Sequence, residues 1–490
     1  MNQNSNIEFT EEVIRKLFGF EDAEGEPVER LKKFYFKNKA YKQVLADLPL
    51  RLLVGHKGVG KSALFRVAMD EQRKEGNLAI LIRPDDIADI GEKHDNILIS
   101  INKWKYGLTS IIAEKVLRAF GVEDDSYKGK IIKTGMKVFT IIGNTAKPYF
   151  KDKVNALPAK IALMEQFISS KKIIVYLDDL DRGWQNKKEG ITMISSLLNA
   201  IRDLAYQNPG LSFKVSLRSD VYAAVRLEDE SADKFSGNVI WQSYTLHEIF
   251  VMLIMRVETF FENTFDEKTL MNTQQKMLSQ LLKPIMVTEY EGNGLWERVP
   301  IHQMLLSLIR KRPRDLVKLC TLAARKASED ESNIITSTNF QEVFEEFSLG
   351  VISDTIVEFK SELSDINRLI FGMKPNKQEV RTADSFIYNT AELKKKINNI
   401  MQSGSFKFAN GRTATPQELI QFLYKINFLT ARKVLEDGKI QRKYFEENNY
   451  ISSKMVDFGY DWEVHVAYRW ALQPDSMEDL LSNYRPNEIW

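Results

Sequence analysis

Cysteine occurs once in the 490 residues, as Cys320, so no disulfide can form within the chain and a reducing, cytoplasmic compartment is expected. No apolar run approaches the roughly eighteen residues of a membrane span. The polar, acidic N-terminus has no signal-peptide pattern. The expectation is therefore a chain without a membrane partner. Net charge is also small, with 69 basic against 67 acidic residues, which excludes a global field directed at nucleic acid or membrane. No internal repeat is evident. His302 and His465 stand alone, as surface or packing residues, and residues 331–490 hold no metal-ligand cluster. No nuclease, protease or deaminase signature is visible. What remains is ordinary: 43% apolar residues, enough for a real core, and a length that suggests several domains.

One stretch stands out against this background. Gly55-His56-Lys57-Gly58-Val59-Gly60-Lys61-Ser62 fits G-x-x-x-x-G-K-[ST], the phosphate-binding loop of nucleoside triphosphatases. Leu50-Arg51-Leu52-Leu53-Val54 before it reads as a buried strand. Ala63 opens a helix-forming run that extends to Lys74 and stops near Gly76. Such a loop wraps a triphosphate with successive backbone N–H groups, and the helix N-terminus adds positive dipole. Lys61 is expected on the β- and γ-phosphates and the Ser62 hydroxyl on Mg²⁺. ATP and Mg²⁺ are the expected ligands, with Gly55 to Ala63 lining the phosphates.

The rest of the chain surrounds this loop. Thr10 reads as an N-cap for a helix carrying Val13, Ile14, Leu17 and Phe18. A second helix is expected to run from Leu31 through Phe36 to Leu45. Its aromatics read as packing rather than as an adenine grip. Residues 78–82 read as the next strand and 104–120 as a helix, the start of a parallel α/β sheet. Residues 127–160 carry Lys128, Lys130, Lys133, Lys137, Lys147, Lys151, Lys153 and Lys160 against the single acid Asp152, with interleaved aromatics. That pattern suits nucleic acid, although a solvated insertion has the same composition.

Ile173-Ile174-Val175-Tyr176-Leu177 is then an apolar strand ending in Asp178-Asp179. The first Asp is expected to hold Mg²⁺. The second is expected to orient or deprotonate the attacking water, although many ATPases have Glu there. A helix over 192–206 and a strand over 212–217 follow, and 239–241 reads as the last core strand. From Leu246 the pattern is helical, with Pro313 as an interruption and Asp315 as a cap.

Asp178-Asp179-Leu180-Asp181-Arg182 resembles the acidic motif of KAP-type P-loop NTPases, relatives of the STAND and AAA+ classes. The stretches 18–24 and 55–62, Leu217-Arg218-Ser219-Asp220 and Arg312-Pro313-Arg314-Asp315-Leu316 resemble bacterial P-loop ATPases of phage-defence and other conflict systems. The resemblance covers roughly residues 10–330. It implies a polar sensor at the end of the 212–217 strand, where Arg218 or Ser219 stands. Arg218 is equally readable as an ion-pair partner of Asp179 or Asp181. The resemblance also implies an arginine finger that completes a neighbouring subunit. Arg226 is placed for it, Arg182 competes, and a solvated surface arginine is the plainer reading of Arg226. Arg312 or Arg314 fits a sensor on a helical lid.

The expected architecture is α/β: a P-loop NTPase parallel sheet flanked by helices, a helical lid and a mainly α C-terminal domain with a winged-helix option. The expected segments are a lead-in over 1–48, a core over 49–245, a lid over 246–330 and a C-terminal domain over 331–490. The expected function is an Mg²⁺-dependent ATPase acting as a homo-oligomeric switch or assembly engine in antiphage defence, with its effector on another chain. The alternative is a nucleic-acid sensor that hydrolyses ATP slowly and binds through 127–160 or the C-terminal domain.

Overall fold

Five short strands form a parallel sheet: β1 (Leu50–Gly55), β2 (Leu78–Ile82), β3 (Ile173–Leu177), β4 (Leu211–Arg218) and β5 (Val239–Trp241), in the order β2-β3-β4-β1-β5. This computed structural model describes residues 7–20, 22–90, 96–119, 172–182, 188–228, 230–293, 296–376, 385–436, 438–445 and 459–472. The lysine-rich stretch 127–160, and the nucleic-acid expectation placed on it, lie outside the described residues. The chain divides into two units. The first is Lys37–Gln242, and the second joins Met1–Phe36 with Ser243–Trp490.

In the first unit, α-helices cover both faces of the sheet, as parallel strands require. Ahead of the sheet, α1 (Glu11–Phe18) and α2 (Val28–Phe34) belong to the second unit, while α3 (Lys39–Leu45) belongs to the first. The helix α4 (Lys61–Lys74) meets one face, where Phe65 lies edge-on to Tyr176 of β3 with ring centres 5.1 Å apart. On the opposite face, α5 (Ile97–Ala119) and α6 (Lys188–Gln207) bury Trp104, Leu108, Ile112, Leu197 and Ile201 against Leu52, Val175 and Phe213. Helix α7 (Ser219–Glu228) follows β4 directly.

The central strand β4 alternates. Phe213, Val215 and Leu217 enter the core that α5 and α6 cover. Ser212, Lys214, Ser216 and Arg218 point to the other face, because successive strand residues alternate sides. Register sets Ser216 beside Leu53 and Arg218 beside Gly55, so this polar row ends at the phosphate loop. Further back along the row, Lys214 is buried and donates to the carbonyls of Ala46 and Leu48 at 3.0 and 3.2 Å. Burial lowers its ammonium to about 8.

The second unit is mainly helical. Its principal helices are α8 (Leu246–Phe260), α9 (Ile301–Ser307), α10 (Pro313–Glu329) and α11 (Ser337–Phe359). Beyond them lie β6 (Ile387–Tyr388), α12 (Thr390–Met401), α13 (Pro416–Lys425), β7 (Leu429–Val434), β8 (Ile440–Lys443) and β9 (Asp461–Val464). The strands form an antiparallel sheet ordered β8-β7-β9-β6. The lead-in motif Phe18-Gly19-Phe20 has a structural use here. Arg256 of α8 is half-buried, donates to the Phe18 carbonyl and lies 4.1 Å from the Phe34 ring centre. Gly19 sits at φ 79°, where a Cβ would fall 2.2 Å from Arg256 Nη1. Among the described residues, no helix is long and apolar enough to cross a membrane.

Several expected elements differ. The single second helix of the lead-in is two, because the chain runs extended at Tyr35 and the Asn38 side chain caps α3 by accepting from the Tyr41 N–H at 3.0 Å. Helix α5 begins seven residues before Trp104. Its first residues Ile97, Leu98 and Ile99 are exposed and so lie outside the apolar periodicity. Pro313 does not interrupt a helix but starts α10 at its first position, where a missing N–H costs nothing. Asp315 is therefore not a cap. It is buried in the first turn and accepts from Arg310 Nε at 2.8 Å and Nη2 at 2.9 Å.

Candidate functional site

The buried strand β1 delivers the chain into the loop 56–60, and α4 leaves it. Gly58 at φ 81° and Gly60 at φ 85° supply the left-handed turns, which a Cβ would strain. Val59 and His56 are buried, Lys57 is exposed, and Lys61, Ser62 and Ala63 are half-buried in the first turn. Gly60 stands at the N-cap of α4 and gives no side-chain cap, and that turn has no acid. The leading amides are thus not capped by a side chain. Lys61 Nζ donates to the carbonyls of Gly55 and His56 at 2.8 and 3.0 Å. His56 Nδ1 lies 3.1 Å from the Ser219 hydroxyl, which ties the loop to the first residue of α7.

Across β4 stands the acidic strand end. Asp178 is buried, and its Oδ1 accepts from the Ser216 hydroxyl and, at 3.0 Å, from the N–H of Asp179. Asp179 itself is exposed at φ 58°. Asp181 is only 6% exposed. Arg218 Nε lies 3.1 Å from Asp181 Oδ2 and 3.0 Å from Asp220 Oδ1, and its Nη2 is 2.5 Å from Asp220 Oδ2. Arg218 thus forms ion pairs with both Asp181 and Asp220. Burial pushes Asp181 up to about 6, against the pull of Lys61 and then of Arg218, and Asp220 adds to the rise.

The fold thus gathers Gly55 to Ala63, Asp178, Asp181 and Arg218 at one end of the sheet. Arg182 and Arg226 are both exposed. Arg314 lies in the second unit, half-buried in the first turn of α10, and Arg312 is buried there with Nη1 2.8 Å from Glu358. Sequence reasoning missed Ser216, which fixes Asp178, and Asp220, which shares Arg218. The signal for Ser216 was present: a strand read as central should not alternate Ser, Lys, Ser and Arg with apolar residues unless one face has polar work.

These residues fit a Mg²⁺–triphosphate. Asp181 and Asp220 share Arg218, and the charge of Lys61 also acts on Asp181. The described residues contain no group of three metal-binding side chains. Mg²⁺ typically binds through one or two carboxylates together with substrate phosphates, rather than in an all-protein cage.

A phosphate loop between a buried strand and an open helix, set in a five-stranded parallel sheet, defines the P-loop NTPase fold class. No family model matches the chain. Among curated proteins it is similar to the transposon gamma-delta 80.3 kDa protein of Escherichia coli (strain K12), with 21% identity over 482 residues. The match covers 89% of this chain and 65% of that relative. Among solved structures it is similar to the Walker-type ATPase of Pyrococcus abyssi, at 12% identity and TM-score 0.39, covering 84% of this chain and 93% of that one. It is also similar to the ORC2 protein of Aeropyrum pernix in ADPNP–ADP complexes, at 11% identity and TM-score 0.41, covering 93% and 92%.

Proposed function

We propose that this chain binds ATP with Mg²⁺, hydrolyses it, and uses the cycle as a switch or assembly engine. The observation that supports this most directly is the open N-terminus of α4 behind Gly58 and Gly60, one strand away from the buried Asp178. Lys61 and the loop amides hold the phosphates. Ser62 and Asp178 hold the metal, with Ser216 keeping Asp178 in place. Mg²⁺, when bound, neutralises charge on the phosphates. Arg226 is assigned to the active site of a neighbouring copy, and Arg182 is its competitor. Arg314 is assigned to reporting nucleotide from the lid helices. The biological setting we infer is bacterial antiphage conflict with an effector on another chain. The curated relative, named for a transposon, supports a mobile-element setting.

The test has two arms. Lys61→Ala in a folded protein should lower affinity for a fluorescent ATP analogue by about a hundredfold, near 2.7 kcal/mol. Unchanged binding sinks the reading. Arg226→Ala should keep its affinity and lose turnover, with an effect on the order of a thousandfold in other NTPases. Mixing the two variants should restore part of it, since each supplies what the other lacks. No rescue, with activity per molecule independent of concentration, removes the inter-subunit site.

A second reading, a nucleic-acid sensor with slow hydrolysis, is favoured by the β7–β8 hairpin. There Lys433 is exposed on β7 and Lys443 half-buried on the edge strand β8, beside two helices that allow a winged-helix reading. Binding that weakens steeply with added salt is its signature.

A further inference from the structure

The chain leaves β3 through three acids, and they have different surroundings. Asp178 is buried and its Oδ1 is engaged by Ser216 and by the backbone of Asp179. Asp179 is exposed, at the left-handed turn that leads out of the strand. The chain then returns: Leu180 is buried, and so is Asp181.

We propose that Asp181, rather than Asp179, is the catalytic residue that takes the proton of the attacking water, with Arg218 as its positioning residue. The assignment rests on the ATP-hydrolysing reading above.

Geometry carries it in two parts. First, Arg218 holds the Asp181 carboxylate at 3.1 Å and is itself fixed by Asp220 at 3.0 Å. Second, Arg218 is in register with Gly55, the first residue of the phosphate loop, so the carboxylate it holds belongs to the loop end of the sheet. The positive charges of Lys61 and Arg218 both act on Asp181. Chemistry agrees with position. Burial lifts Asp181 to about 6, and a base poised near the working pH is more effective than an ordinary aspartate.

In the step, the water oxygen bonds to the γ-phosphorus as its proton passes to Asp181. The bond from the γ-phosphorus to the bridging oxygen breaks, and its electron pair leaves with ADP. Asp181 then releases its proton to phosphate or solvent.

The competing role is structural, with Asp181 and Asp220 only anchoring Arg218. Three full-length variants separate the two: Asp181→Asn, Asp181→Glu and Asp179→Asn. Each is measured for affinity to a fluorescent non-hydrolysable ATP analogue with Mg²⁺, for thermal unfolding, and for turnover across about pH 5 to 9. Asp181→Asn should bind the analogue within about threefold of wild type, lose turnover by at least about a hundredfold, and lose the acid limb of the pH profile. Asp181→Glu keeps a charge for Arg218 but moves the carboxylate by a methylene, so it should fold and bind normally yet turn over slowly. It carries the test if Asp181→Asn does not fold. Asp179→Asn should stay within about fivefold of wild type. The proposal is overturned if either Asp181 variant turns over at close to the wild-type rate, or if Asp179→Asn alone stops turnover while keeping affinity. If the wild-type protein does not bind the analogue at all, the ATPase reading itself fails, and that result is visible before any variant is made.

Discussion

Helix α4 begins differently from four helices of the second unit. In the second unit α8, α11, α12 and α13 each start behind a closed capping box, formed by Thr245 with Glu248, Thr336 with Asn339, Asn389 with Glu392, and Thr415 with Glu418. In the first unit α4 starts behind Gly60 with no side-chain cap and no acid in its first turn. Every helix N-terminus carries unpaired amides and a positive dipole. A capping box satisfies them from within the chain. The open start of α4 leaves them for an outside anion, and it is the helix that follows the phosphate motif.

Buried charge repeats the contrast. In the second unit Arg310 meets Asp315 through Nε and Nη2, and its Nη1 donates to the Thr355 hydroxyl at 2.8 Å and the Tyr468 hydroxyl at 3.2 Å. Burial pushes Asp315 up, but Arg310 outweighs it and holds the carboxyl at about 2. In the first unit Arg218 is divided between two buried acids, and Asp181 rises to about 6. The matched cluster is built for stability of the fold. The unmatched one sits where charge would enter with a ligand.

The largest effect should come from breaking the matched cluster. Arg310→Met leaves Asp315 buried without its cation, and removing one partner of a buried pair costs about 3–5 kcal/mol. Urea unfolding of the second unit should register that loss, while affinity of the still-folded protein for an ATP analogue stays unchanged. Adding Asp315→Leu should recover most of it, since an apolar pair of similar volume avoids the buried charge altogether. A small loss in the single variant would mean that water reaches the cluster and that the contrast with Arg218 is one of position only.

Acid should separate the units by sign. Asp181 has a folded pKa above its ordinary 3.8, so its ionisation opposes folding above about pH 6, and that cost is relieved as pH falls towards 4. The full span is on the order of 3 kcal/mol. Histidines in the second unit act the other way. Burial lowers His302 to about 4, and burial together with the Arg310 charge lowers His465 to about 3. Their contribution is present above about pH 6.5 and is lost as pH falls, at about 1.4 kcal/mol per pH unit each. Between pH 6.5 and 5, the first unit should gain from Asp181 while the second loses from its histidines. Unfolding followed separately in each unit checks this. Asp181→Asn should flatten the first slope and His302→Gln should reduce the second. Parallel slopes in both units would refute the assignment of these groups.

Much of the first unit was legible from sequence because its signals are local. The phosphate loop, the apolar runs of β1, β2 and β3, and Asp178 at a strand end follow from adjacent residues, and all stand where expected. The division of labour among Asp178, Asp179 and Asp181 was not legible. It depends on a left-handed turn at Asp179 and on contacts to Ser216 and Arg218, which lie more than thirty residues further along the chain. The same limit explains Asp315. Its partner Arg310 is five residues away, but whether an aspartate near a proline caps a helix or enters an ion pair depends on where the helix begins. From sequence His302 and His465 read as surface or packing residues, and burial decides for packing: His465 is held by the Tyr444 hydroxyl at 3.2 Å and by the Ala467 N–H.

The smallest effect tests the closed caps. Thr415 accepts from the Glu418 N–H at 3.3 Å, and Glu418 Oε2 accepts from the Thr415 N–H at 2.9 Å, with Pro416 at the first helical position of α13. Its bond from the Thr415 backbone is the main reason the Glu418 carboxyl lies below its ordinary range, and Arg412 adds to this. Thr415→Ala removes one half of the box and should cost about 1 kcal/mol. Because α13 belongs to the second unit and its amides serve only the chain, analogue affinity and turnover should not change. Glu418→Gln keeps the acceptor oxygen but gives up the charge near the dipole, so it should cost less, about 0.3–1 kcal/mol, and its effect should shrink with added salt. At α4 the order reverses. Gly60→Ala forces a side chain into φ 85°, with a strain of about 1–2 kcal/mol, and it should abolish analogue binding because the loop amides no longer converge. If Gly60→Ala binds the analogue normally, or if Thr415→Ala weakens binding as much as it weakens the fold, then open and closed helix starts do not mark the difference between ligand and scaffold in this chain.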